Sequence, residues 1–304
     1  MRRVIILVAV LVASIALAGA PASAAAKPIP VPYNFLPSAI FGGTPNANAP
    51  GTNDWSCKPT AEHPRPVVLV HGTAGNRSTN WRTYGPLLKN NGYCVFALTY
   101  GTLPGAPYPV KALGGFGDMR ASAEQLRVFV DQVRTATGAG QVDFVGHSQG
   151  TLMPDYYVKF LGGAPFVHSY ISLAPLWHGT NVKPLPVVAK LMGFDVDKVP
   201  FCTACGQFDP QSAFMKQIRA GGPAVPGVNY VNIVTKNDEL VRPYTSGIEE
   251  GMTNIVVQDY CKRDHADHFE IAADRNATLH VLNALDPAHP RPLTCTLTLP
   301  FVGP

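Results

Sequence analysis

The feature that most constrains this chain is the pentapeptide Gly146-His147-Ser148-Gln149-Gly150. It sits between an apolar run, Val142-Asp143-Phe144-Val145, and a stretch carrying Leu152, Tyr156 and Leu161. Alone, Gly-x-Ser-x-Gly is a weak signal. Between a strand pattern and a helix pattern it describes a sharp turn that lifts a serine hydroxyl above a sheet edge, with glycines where a Cβ would collide. Such a turn needs a parallel sheet beneath it. Val67 to Val70, Cys94 to Leu98, Tyr170 to Leu173, Tyr230 to Val234 and Ile255 to Val257 are short apolar runs of the kind buried in one. Helical patterns alternate with them: Ser122 to Thr135, stopped by Gly138 and Gly140, then Gly150 to Leu161, and finally Phe269 to Leu285. The expectation is an α/β fold, a mostly parallel central sheet with helices on both faces.

The N-terminus reads differently. Arg2 and Arg3 precede an apolar run from Val4 to Ala18, followed by Pro21 and the small triplet Ala22-Ser23-Ala24, which is the pattern of a secretory signal peptide over residues 1–24. The run is shorter than the ~20 residues of a membrane anchor, and no later stretch is long and apolar enough to span. An exported protein of one domain, residues 25–304, is therefore expected. Within it, the Pro-, Ala-, Asn- and Gly-rich residues 25–56 suggest an extended arm. The Pro-rich residues 181–226, with Val187, Val188, Leu191 and Met192, suggest a lid-like insertion over the sheet. The net charge of +4, with no Lys/Arg cluster, points away from a nucleic-acid partner. Export makes disulfides the expected state of the six cysteines. Chain order favours Cys57 with Cys94, Cys202 with Cys205, and Cys261 with Cys295. The C-x-x-C at Cys202 could be a redox dithiol, but it lacks a preceding strand and reads better as a local staple.

A serine becomes a nucleophile when a base takes its proton and a carboxylate orients that base. In a strand–serine–helix architecture the acid and base follow the serine, each after a later strand. Asp238 comes shortly after the Tyr230 run, with Glu239 the alternative in the same loop; Asp195, Asp197 and Asp209 lie in the insertion and are less well placed. His265 and His268 both precede the final helix, and His268 lies closer to its start. The cluster Asp264-His265-Ala266-Asp267-His268 could alternatively be read as metal ligands, but the serine site already accounts for one of its histidines, so no metal is expected. The loop His71-Gly72-Thr73-Ala74-Gly75-Asn76 is glycine-rich but has neither a Walker lysine nor Gly-x-Gly-x-x-Gly spacing, so no nucleotide cofactor is expected. It is instead the place for a donor to an oxyanion, at Thr73, complemented by the N–H of Gln149.

Together, His71-Gly72-Thr73 with Gly75-Asn76, the Ser148 pentapeptide, Asp238 with Pro243-Tyr244, and Asp267-His268 before a helix resemble the class 2 secreted bacterial lipases of the α/β-hydrolase fold. More distantly they are similar to the fungal lipase B type. The resemblance covers roughly Asn53 to Pro287. It implies Ser148 as nucleophile, Asp238 as acid, His268 as base, Thr73 and Gln149 at the oxyanion hole, and disulfides Cys57–Cys94 and Cys261–Cys295. The resemblance also implies His268 over His265, because the family's histidine follows its cysteine at the spacing that separates His268 from Cys261.

The expected function is a secreted triacylglycerol lipase or carboxylesterase, a monomer whose partner is a lipid ester or a lipid–water interface. Alternatives on the same triad are a polyester depolymerase or a cell-envelope acyltransferase; a non-catalytic binding protein is disfavoured by the complete triad. Leu176 and Trp177, just after the Tyr170 run, are expected to line an apolar acyl pocket.

Overall fold

Residues that alternate between the two sides of a strand decide this architecture. Val68 and Val70 pack into one layer while Val67 and Leu69 pack into the other, and Phe144 and Val145 divide in the same way. Both faces are buried, which is why Val67 to Val70 reads as a continuously apolar run. The computed structural model describes residues 27–41, 47–108, 110–183, 186 and 202–304. Residues 1–24 and the lid residues Val187, Val188, Leu191 and Met192 lie outside the described residues.

Among the described residues, six strands form one wholly parallel sheet in the order β2-β1-β3-β4-β5-β6. They are β1 (Val67–Val70), β2 (Val95–Ala97), β3 (Val142–His147), β4 (Val167–Leu173), β5 (Asn229–Val234) and β6 (Thr253–Val256). Preceding the sheet is helix α1 (Phe35–Phe41); α2 (Tyr84–Asn90) and the C-terminal helix Arg275–Leu285 cover one face. The other face carries α3 (Met119–Thr137) and α4 (Met153–Phe160). Helix α3 buries Met119, Ala123, Leu126, Val130 and Val133. It begins before Ser122 because the Asp118 carboxylate accepts the Arg120 N–H, and it ends at Gly138, whose φ of 78° suits a residue without Cβ.

Two sequence expectations are revised. The final helix is split into a 3-10 turn, Glu270–Ala272, and the helix Arg275–Leu285, because the Asp274 side chain accepts the Ala277 N–H and starts a new helix. The arm is extended only through about residue 34, where Ile29 pairs with the Asn90 side chain and Thr83 Oγ1 donates to the Pro32 carbonyl. Phe35–Phe41 then coils into α1, a helix too short to show periodicity in sequence and dependent on tertiary contacts. Of the insertion, the described residues 202–226 send Phe208 to the pocket at the sheet's carboxyl edge. Their helices Thr203–Gln207 and Ala213–Arg219 pack on α3 and α4 and bury Phe214, Met215 and Ile218.

Cys57 is bonded to Cys94, Cys202 to Cys205, and Cys261 to Cys295. No helix among the described residues is long and apolar enough to cross a membrane. From β1 the chain adds β2 on one side and β3 on the other, so the strand order reverses between β1 and β3. The crevice beyond the carboxyl ends at such a reversal is where α/β sheets accept ligands. Thr73 follows β1 and Ser148 follows β3, so both face this crevice.

Candidate active site

Ser148 stands on the turn that the pentapeptide implied. Its φ is 54°, a left-handed conformation uncommon for a residue with a Cβ. The turn closes because its glycines leave room: a Cβ on Gly146 would lie 2.1 Å from the Gly150 carbonyl oxygen, and one on Gly150 only 1.9 Å from that of Val70. A 3-10 turn, Ser148–Thr151, leads into α4.

Two loops bring partners to Ser148. After β5, Asp238 Oδ1 accepts the Leu240 and Val241 N–H groups at 2.9 and 2.7 Å, a local side-chain turn that fixes the carboxylate. After β6, Asp264 accepts the Ala266 N–H, and Asp267 those of Phe269 and Glu270, so both acids shape the turn that presents His268. His268 Nδ1 lies 2.9 Å from each Asp238 carboxylate oxygen, and its Nε2 lies 2.9 Å from Ser148 Oγ. This carboxylate–imidazole–hydroxyl chain has the connectivity required to deprotonate a serine. Glu239 does not share the acid's position. Its Oε2 accepts the His268 backbone N–H at 3.0 Å, a link that residue adjacency alone could not reveal. His265 is exposed and does not join the chain. Among the described residues, no group of three or more His, Cys, Asp or Glu is arranged to hold a metal ion.

The three buried histidines near Ser148 differ electrostatically. Burial drives His71 down to about 4 and His147 down to about 3, the latter helped by the neighbouring His268 charge. Both are neutral near pH 7. His71 stacks on Tyr100 with ring centres 4.3 Å apart, and its carbonyl accepts the Tyr100 hydroxyl. His147 Nε2 meets the His268 carbonyl at 2.8 Å. Burial also opposes protonation of His268, but the Asp238 carboxylate beside it outweighs that cost, with help from Glu239 and Asp267, so its pKa is raised.

Thr73 and Gln149 lie together opposite this chain. Thr73 Oγ1 donates to Gln149 Oε1 at 2.8 Å, so the hydroxyl locks the glutamine side chain. The loop itself is clasped by Gly114, which accepts the Ala74 N–H and donates to the Gly75 carbonyl. The Asn80 side chain accepts the Gly72 N–H. Gly114 and Asn80 carry no motif, and nothing in their local sequence marks them as part of the site.

An apolar pocket opens above Ser148, walled by Leu176, Phe208, Leu240, Val241 and Phe269 and by α1 residues. Trp177 is not among its walls. It is fully buried beneath the site against Tyr170 and Tyr230, its indole N–H donating to Asn232 Oδ1 at 2.8 Å, because successive residues after β4 point in opposite directions.

Sheet, crevice and strand order define an α/β hydrolase. Similar solved structures include Aspergillus fumigatus lipase B, with a TM-score of 0.61 and 20% identity over 81% of this chain and 57% of that one. A Bacillus licheniformis lipase in its mature form has a TM-score of 0.57 and 19% identity, covering 80% of this chain and 99% of that one. The family model of the class 2 lipases matches residues 64–280, and the chain belongs to that family. Triacylglycerol lipases of Pseudarthrobacter phenanthrenivorans and Burkholderia plantarii are each 35% identical over 99 residues, 30% of this chain. The matched stretch covers 27% and 24% of those two proteins, about a quarter of their length.

Proposed function

We propose that this protein is an exported carboxylic-ester hydrolase that cleaves acylglycerols through an acyl-enzyme on Ser148. The observation that carries the reading is the hydrogen-bonded chain Asp238–His268–Ser148 opening onto an apolar pocket. His268 Nε2 takes the Ser148 proton as Oγ attacks the ester carbonyl. The resulting oxyanion is met by the N–H groups of Thr73 and Gln149. His268 then protonates the leaving alkoxide, and the alcohol departs. Water, deprotonated by the same imidazole, hydrolyses the acyl-serine and restores the hydroxyl. Export is supported by the signal-like residues 1–24 and by cysteines that are all disulfide-bonded.

The test is hydrolysis of a glyceryl ester series from short to long acyl chains, measured below and above the concentration at which each forms an emulsion. Turnover that persists in Ser148→Ala would overturn the reading. A rate jump on emulsification supports a lipase, and smooth saturation an esterase.

A further inference from the structure

Helix α1 lies outside the sheet and its covering helices, yet three of its residues, Phe35, Leu36 and Ala39, line the pocket above Ser148. It is anchored from several directions. The Phe35 N–H donates to Glu270 Oε2 at 2.9 Å, and Glu270 is fully buried. The Leu36 N–H reaches the Phe301 carbonyl at 3.4 Å. Just before the helix, the Tyr33 ring lies under the Arg275 guanidinium, and its carbonyl sits where a Cβ on Gly303 would be, 2.0 Å away. The Phe35 ring packs between His147 and Phe269, with centroid separations of 5.9 and 5.8 Å. These two residues adjoin Ser148 and His268 in sequence, so Phe35 stands beside the reacting groups. The α1 sequence Phe35-Leu36-Pro37-Ser38-Ala39-Ile40-Phe41 contains no charge.

We propose that α1 is the wall that sets the length of apolar chain the enzyme accepts, with Phe35 and Ala39 as its specificity-determining residues. The inference rests on the ester-hydrolase reading above and names what that site selects. Phe35 is a large side chain against the base's neighbour, so removing it opens space. Ala39 is small, so enlarging it fills the space where a chain lies. The two substitutions should therefore act in opposite directions, which a general loss of stability would not produce.

The experiment measures kcat/KM for a p-nitrophenyl ester series from butyrate to palmitate, and for acetates of alcohols of matching lengths. Wild type, Phe35→Ala, Ala39→Phe and Ser148→Ala are compared, each checked by circular dichroism and Tm. In Ala39→Phe, long-chain esters of at least one series should lose about tenfold or more while the shortest changes by less than about threefold. In Phe35→Ala, the preferred chain should become longer or bulkier. Folded variants with wild-type chain-length profiles in both series would overturn the proposal while leaving the ester-hydrolase reading intact. If wild type cleaves none of these esters, or Ser148→Ala cleaves them as well as wild type, it is the underlying reading that fails. Should Ala39→Phe not fold, Phe35→Ala carries the test alone.

Discussion

Thr73 and Gln149 are 76 residues apart in sequence, yet the Thr73 hydroxyl donates to the Gln149 side-chain carbonyl at 2.8 Å. The contact ties the loop after β1 to the turn after β3 and so sets the spacing of the two backbone N–H groups proposed to meet the oxyanion. Thr73→Val preserves volume and the backbone N–H but cuts this tie. It should lower kcat by about tenfold or more, approaching the ~10²–10³ lost when an oxyanion donor is removed outright. KM should move much less, as steady-state kinetics on a soluble ester will show.

The proton chain predicts graded losses. Ser148→Ala should lower kcat by about 10⁶ and Asp238→Asn by about 10⁴, because the asparagine variant keeps the geometry but loses the charge that supports an imidazolium. His265→Ala should retain most activity, since that side chain is exposed. Loss on changing His265 with retention on changing His268 would reverse the assignment of the base.

Activity should fall as pH drops through the pKa of His268, since only the neutral imidazole accepts the Ser148 proton. That pKa is raised above the ordinary 6.5, so the acid limb of kcat/KM should have its midpoint above pH 6.5. In Asp238→Asn the residual activity should titrate at a lower pH.

Glu270 gives a stability prediction of defined sign. Burial, reinforced by Asp267, Asp274 and Asp264, pushes its carboxyl from 4.5 up to about 8. Between those values the folded protein holds a proton that the unfolded chain releases, so this contribution to stability declines as pH rises through the window. Glu270→Gln still offers an oxygen to the Phe35 N–H and should flatten the fall in Tm over that range. A variant that parallels wild type at every pH would contradict the assignment.

The disulfides should contribute according to the loops they close. Cys57–Cys94 spans 37 residues and Cys202–Cys205 only 3. Replacing the first pair with alanine should cost about 4 kcal/mol and the second about 2 kcal/mol by the loop-entropy relation. Denaturant unfolding of the two double variants checks the order.

Local pattern was enough for much of this molecule. The alternation of buried runs with amphipathic helices announced the parallel sheet, because residues buried on both faces of a strand leave an unbroken apolar string. Gly146 and Gly150 announced the turn, because a Cβ cannot fit against the neighbouring carbonyls. Ser148 could be named because it directly follows a strand, Asp238 because it lies in the loop after the Tyr230 run, and His268 because it stands just before the final helical pattern. The same reasoning misplaced Trp177. Adjacent residues leaving a strand diverge, and only packing decided that Leu176 enters the pocket while Trp177 enters the core.

Other features depend on contacts between distant segments. Helix α1 is too short to carry a period, and it exists because Glu270 and Phe301, more than two hundred residues away, bind its first N–H groups. The roles of Glu239, Gly114 and Asn80 are likewise set by backbone groups across the fold. The sequence by itself determined the sheet, the strained serine turn and the residue types facing the crevice, since these follow from periodicity and excluded volume within a few residues. Tertiary structure alone decided which side chains close on Ser148 and what walls its pocket. Those choices are made by buried hydrogen bonds and packing between segments that carry no mark of one another until they meet.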